Sequence, residues 1–193
     1  MRKYKLDCAY IISKFEFHDE LKSSLLDLIQ DSNFESPKNT IAEVDITRTD
    51  WKYSSDMSRP WVQYLARPLM DQMLPMYQEL GFDGFKINEI WYQQYSKKSQ
   101  HGWHTHSSNF TNVYYLDLPK DSPKTKLVNG FNQTEVIELD VEEGDMVIFP
   151  SFIIHAAPPN LSNHQKTIIS YNVDATYSEN IYGKGIKENH AVF

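Results

Sequence analysis

The sequence predicts a mainly β fold, a jelly roll preceded by supporting helices, in one domain. After Gly84, short runs of β-branched and aromatic residues alternate with turn clusters, whereas before it apolar residues recur at helical spacing. Size and composition agree. The 193 residues are enough for one substantial core, and 40% hydrophobic with 13% aromatic residues is too rich for a disordered chain.

From Phe17, the positions Phe17, Leu21, Leu25 and Leu28 recur every three or four residues, predicting an amphipathic helix over 19–31. A second helix is predicted from Pro60 to Leu80. Proline suits a first helical turn, and Gly81 suits a left-handed C-terminal cap. Trp61, Leu65, Leu69, Met73, Met76 and Leu80 form its buried stripe, and Pro68 and Pro75 are expected to kink it or split it in two. Residues 1–84 are therefore read as a helical support region. Strand-like segments follow at 85–95, 111–118, 126–128, 134–139, 145–149, 153–156 and 166–174, divided by turns such as Asn129-Gly130 and Glu143-Gly144-Asp145. Their spacing predicts a sandwich or barrel spanning 85–175. The tail, 176–193, has no periodic pattern and is expected to wrap the surface.

Charge narrows the function classes. Nineteen Lys and Arg against 26 Asp and Glu give a net charge of −7, which argues against a dedicated nucleic-acid binder. The single cysteine, Cys8, rules out an intramolecular disulfide framework and suits a reducing compartment. The N-terminus meets charge too soon for a signal peptide, and no run approaches the roughly 20 apolar residues of a membrane span. A cytoplasmic protein is expected. Nothing in the sequence reports oligomeric state.

The informative residues are histidines. His101, His104 and His106 fall within six residues, and His155 closes a strand-like segment further on. In extended chain alternate side chains share a face, so His104 and His106 point together as two neighbouring metal ligands. A third ligand from His155 would complete a triangular face suited to a mid-row divalent metal. His101 is read as flanking, and His18, His164 and His190 as surface residues. Lys166 opens a further strand in which Lys166, Ile168, Ser170 and Asn172 share a face. A lysine buried there demands an anion, because an unpaired buried charge is very costly.

In this combination the residues resemble the Fe(II)- and 2-oxoglutarate-dependent oxygenases, which share a double-stranded β-helix of cupin type. That family carries His-x-Asp/Glu, a distal His and a late Arg or Lys; this chain has His104-Thr-His106, His155 and Lys166. The segment Asn112-Val-Tyr-Tyr115-Leu-Asp117 is similar to a strand of the prolyl hydroxylase branch. Glu143-Gly-Asp145, Phe149-Pro-Ser151 and Asn172 resemble a compact bacterial and phage group with an HxH pattern. The resemblance implies Fe(II) held by His104, His106 and His155. It further implies 2-oxoglutarate anchored by Lys166 and Tyr115 with Tyr95 lining its pocket, and O2 as co-reactant. A small-molecule or peptidyl substrate would then be hydroxylated; Asn172 and Trp103 are candidates to touch it or to support residues that do, and Trp91 is a further candidate for the pocket wall.

One departure stands out. His106 occupies a position where most of the superfamily has a carboxylate, leaving the metal site one unit more positive. It is also too large to leave the opening that a halogenase needs for chloride. Two other readings stay open: a three-His cupin-type metalloenzyme that does not use 2-oxoglutarate, and a non-catalytic metal-binding module.

Overall fold

The computed structural model describes residues 8–32 and 44–177; most of the expected tail, with His190, lies outside them. In chain order the elements are β1 (Ile11–Lys14), α1 (His18–Asp31), β2 (Val44–Asp45), β3 (Arg48–Thr49), a 3₁₀ turn (Trp51–Tyr53) and α2 (Pro60–Glu79). Then come β4 (Phe82–Tyr95), β5 (Gln100–His104), β6 (Phe110–Asp117), β7 (Lys126–Asn129), β8 (Asn132–Glu138), β9 (Asp145–Pro150), β10 (His155–Ala157) and β11 (Lys166–Tyr177). The strands form two antiparallel sheets, a major one in the order β1-β9-β6-β11-β4-β3 and a minor one in the order β2-β5-β10-β7-β8. No helix among the described residues is long and apolar enough to cross a membrane.

Alternation along β11 organises the packing. Ile169, Tyr171 and Val173 face outward into a core shared with the helices, while Ile168 faces inward into a second core between the sheets. α1 contributes Leu21, Leu25 and Ile29 to the outer core, and α2 contributes Trp61, Leu65, Leu69, Met73 and Tyr77. Each fully buried side chain of this kind stabilises the fold by roughly 1.5–3 kcal/mol relative to exposure. On α1 the stripe ends with Ile29, and Leu28, expected in it, is only partly buried.

α2 is one continuous helix, not two. The N–H groups that Pro68 and Pro75 lack would have bonded to the carbonyls of Tyr64 and Asp71, both exposed residues, so water can satisfy those carbonyls. The buried stripe on the opposite side holds the helix in place.

The N-terminal region supplies three edge strands as well as helices. β1 borders β9, β3 borders β4, and β2 borders β5. Next to β3, the buried Asp50 accepts hydrogen bonds from Trp61 Nε1 (2.9 Å) and the Tyr92 backbone N–H (3.0 Å) and pairs with the buried Arg59. Burial pushes the Asp50 carboxyl up, opposed by the Arg59 charge and these donors. This cluster fastens the 3₁₀ turn to β4 and so holds Trp51 beside the cleft described next.

Candidate active site

The inner face of the major sheet carries a ladder of cross-strand pairs, each with at least one polar residue. Register places Lys166 opposite Tyr95, Ile168 opposite Gln93, Ser170 opposite Trp91 and Asn172 opposite Glu89. Across the cleft, the minor sheet presents the histidines. His104 on β5 and His155 on β10 are direct cross-strand partners, which brings their ring centroids to 4.2 Å. His106 lies just beyond β5, where its backbone N–H donates to the Ser151 carbonyl (3.1 Å). Its ring sits 5.0 Å from that of His104 and 5.1 Å from that of His155. The ligand atoms of the three lie within 4.8 Å of one another, and among the described residues no carboxylate joins them.

The tautomers follow from the hydrogen bonds. His104 Nδ1 faces the Gly102 carbonyl (2.7 Å) and His155 Nδ1 faces the Ile153 carbonyl (3.0 Å). A carbonyl only accepts, so each Nδ1 carries the proton and each Nε2 keeps its lone pair for a metal. Burial pushes the imidazoles down: His155 to about 2, His106 to about 4, and His104 also below its usual value. Neighbouring histidine charges reinforce the effect at His106 and His155. All three are neutral near pH 7, the state a metal requires.

His101, read from sequence as flanking, belongs to this cluster. Between the His155–His104 and Ala157–His101 pairs, β5 has one residue more than β10. Such a bulge breaks strict alternation, so His101 and His104 face the same side. His101 is buried, and its Nδ1 accepts from Gln93 Nε2 (3.3 Å), whose Oε1 accepts from the Ser170 hydroxyl (3.2 Å). Trp103, between them, is 49% exposed and is not among the residues lining the cleft.

The inner end of the ladder holds the cation. Lys166 is buried, donates from Nζ to the Pro123 carbonyl (2.9 Å) and lies 5.0 Å from the Tyr95 ring centroid. Among the described residues no acidic side chain forms an ion pair with it. Burial pushes its ammonium down to about 8. Tyr115 donates to Thr125 Oγ1 (2.7 Å), and both Tyr95 and Tyr115 are fully enclosed, which raises their phenols well above the ordinary range. Tyr95 and Thr125 line the cleft that also holds the histidines, whereas Lys166 and Tyr115, which contact them, are not themselves among its lining residues.

Asn172, at the outer end, donates from Nδ2 to Glu89 (2.7 Å). Trp91 lines the cleft, its ring 5.7 Å from His106 and stacked at 6.1 Å on the exposed Trp51. Sequence reasoning missed Gln93, Thr125 and the inward turn of His101. Gln93 was available from alternation with Tyr95, whereas Thr125 lies in a loop without periodicity. His18 also departs from its surface reading: it is buried, with Nδ1 2.8 Å from the Tyr114 hydroxyl. A start-of-helix position gave no warning that the helix would lie across β6.

Comparison with known proteins agrees with this geometry. Residues 89–172 match the family described as "Putative 2OG-Fe(II) oxygenase". No curated protein matches the chain in sequence. Among solved structures, a Pseudomonas putida prolyl-4-hydroxylase is 15% identical with a TM-score of 0.60, over 89% of this chain and 94% of that one. A Trichoplax adhaerens prolyl hydroxylase, solved with a hypoxia inducible factor peptide fragment, is 15% identical with a TM-score of 0.63, over 86% and 83%. The α-ketoglutarate-dependent carbocyclase SnoK of nogalamycin biosynthesis is 14% identical with a TM-score of 0.63, over 94% and 86%. These likenesses show the double-stranded β-helix fold. The matched segment contains every histidine of the cluster together with Lys166, so the stretch of chain that carries the site is the stretch that is similar to the 2OG-Fe(II) oxygenases.

Proposed function

We propose that this protein is a dioxygenase that hydroxylates a C–H bond of an amino-acid-like or peptidyl prolyl substrate, with His104, His106 and His155 as the Fe(II) ligands. The observation that carries this reading is the convergence of three neutral imidazoles in a cleft whose wall residue Tyr95 also packs against a buried lysine with no acidic partner among the described residues. Bound Fe(II) with 2-oxoglutarate supplies the oxidising chemistry. The chain's own residues bind, orient and exclude water. The Gly102 and Ile153 carbonyls hold His104 and His155 with Nε2 presented. Lys166 offers a charge-assisted hydrogen bond to the far carboxylate of the cosubstrate, and the hydroxyls of Tyr115 and Thr125 lie in the same enclosed end. Trp91, Val113 and Ile168 wall the cleft with apolar surface.

The prolyl assignment is supported by the two prolyl hydroxylase folds and by Val113-Tyr-Tyr115-Leu-Asp117 on β6. His106 in place of a carboxylate leaves the metal more positive, and it is the one feature that favours a three-His enzyme without 2-oxoglutarate. An anaerobic titration separates the two. Fe(II) and then 2-oxoglutarate are added to the metal-free protein while the visible spectrum is recorded. A charge-transfer band that needs both components is expected. Tight iron binding without that band would move the function to the three-His reading, and no iron binding would overturn both.

A further inference from the structure

Among the described residues, four buried side-chain polar atoms lack a hydrogen-bond partner: Trp91 Nε1, Ser122 Oγ, Tyr171 Oη and Asn172 Oδ1. Tyr171 faces the helix-side core, and Ser122 lies in the loop after β6. The other two are adjacent on the cleft face of the major sheet. Trp91 is opposite Ser170, and Asn172 is the next inward-facing residue of β11. The two rows are therefore about 7 Å apart. Trp91 is 2% exposed and Asn172 3%, so neither atom is satisfied by bulk water.

Their chemistry is complementary. An indole N–H only donates. Asn172 is fixed in orientation by Glu89, because a carboxylate accepts and so draws Nδ2 to itself, leaving Oδ1 as the free acceptor. Glu89 is satisfied in turn by Asn172 Nδ2 and by the Ser54 hydroxyl (3.3 Å). The sheet face that lines the cleft thus carries one donor, on Trp91 beside His106, and one acceptor, on Asn172 one inward-facing position beyond Ser170. An ester or ketone would satisfy only Trp91, and an ammonium only Asn172. A secondary amide satisfies both.

We propose that Trp91 and Asn172 bind a secondary amide of the substrate, Trp91 Nε1–H donating to its carbonyl and Asn172 Oδ1 accepting its N–H. This deepens the reading of the site as a hydroxylase and rests on it for the meaning of the word substrate. It selects a peptide-linked or carboxamide substrate over a free amino acid. The stacked pair Trp51 and Trp91 continues the binding surface outward, since Trp51 is 46% exposed.

The test observes the donor directly and needs no turnover. The ¹⁵N-labelled full-length protein has four tryptophans, and loss of a peak in Trp91→Phe assigns the Trp91 indole N–H. The probes are acetyl-proline N-methylamide, acetyl-proline methyl ester, which lacks any N–H, and free proline. The N-methylamide is expected to move the Trp91 indole proton downfield, and the ester to bind about tenfold more weakly. Asn172→Leu should abolish that preference while leaving the indole shift. Equal affinity for amide and ester, or an indole peak that no probe moves, would overturn the proposal. Should Asn172→Leu fail to fold, the amide–ester comparison in the wild-type protein still decides. The measurement runs in metal-free protein, so a negative result here is distinct from a negative iron or 2-oxoglutarate titration.

Discussion

The His101 ring lies flat on the His104 ring, with centroids 3.8 Å apart and planes 17° from parallel. His104 is thereby held on its face by His101 and at Nδ1 by the Gly102 carbonyl. His101 is itself fixed through Gln93 and Ser170. A ligand oriented before the metal arrives loses less freedom on binding it.

His101→Ala should therefore retain stoichiometric Fe(II) binding with roughly tenfold lower affinity, within the range seen when groups supporting a ligand are removed. His155→Ala removes one of three proposed ligands and should lose stoichiometric binding altogether. Anaerobic competition against a chelator compares the two. Equal losses would show that His101 is itself a ligand, and normal stoichiometry in His155→Ala would sink the triad.

The Lys166 ammonium, lowered to about 8 by burial, makes a pH prediction for the cosubstrate. A carboxylate binds the charged form, so affinity for 2-oxoglutarate should be flat below about pH 7. Above about pH 8 it should fall by up to tenfold per unit, as free protein loses the proton that binding requires. Equilibrium dialysis with labelled 2-oxoglutarate from pH 6.5 to 9.5 measures this. A flat profile would assign the anchor elsewhere. Lys166→Ala should weaken 2-oxoglutarate while leaving Fe(II) affinity in place.

Which side chains of β11 share a face was legible because that signal is local. Alternation in 166–174 put Lys166, Ile168, Ser170 and Asn172 on one face, and from that face Ile168 and Ser170 line the cleft. The pairing of His104 with His155 is a long-range register that alternation only permits. The bulge that turns His101 inward depends on how β10 meets β5, which no periodicity in residues 100–106 reveals. Trp103 shows the same limit from the other side: its proximity to His104 in sequence places it on the exposed face. In α2, helix-breaking residues misled because burial of Trp61, Leu65, Leu69 and Met73 outweighs two lost backbone hydrogen bonds.

The depressed histidines predict acid sensitivity of the metal-free protein. In the unfolded chain an imidazole protonates near pH 6.5, whereas His101 titrates near 3, His106 near 4 and His155 near 2 when folded. Between those values the unfolded state holds more protons, so stability rises with pH and is lost as pH falls below about 6.5. Each titrating histidine contributes a slope of about 1.4 kcal/mol per pH unit in that window. Urea unfolding at pH 7.5, 6 and 5 should show the midpoint falling, and metal-loaded protein should fall less near neutrality. A midpoint unchanged from pH 7.5 to 5 would contradict the buried, neutral cluster.

Gly144 and Gly81 form a matched pair for separating backbone strain from crowding. Both have positive φ, +85° and +86°. A Cβ on Gly81 would meet nothing within 4 Å, whereas a Cβ on Gly144 would lie 2.9 Å from His18 Cγ and 3.0 Å from Cδ2. His18 has little room to yield, since it is buried with Nδ1 2.8 Å from the Tyr114 hydroxyl and Nε2 3.5 Å from Glu143. Gly81→Ala should cost about 1 kcal/mol, the strain of a left-handed alanine. Gly144→Ala carries that strain plus an overpacking cost of about 1–3 kcal/mol, for a total of about 2–4 kcal/mol. Urea midpoints of the two variants give the comparison directly. Equal losses would mean that α1 moves aside freely, and the turn at Glu143-Gly144-Asp145 would then not be what seats His18 against β6.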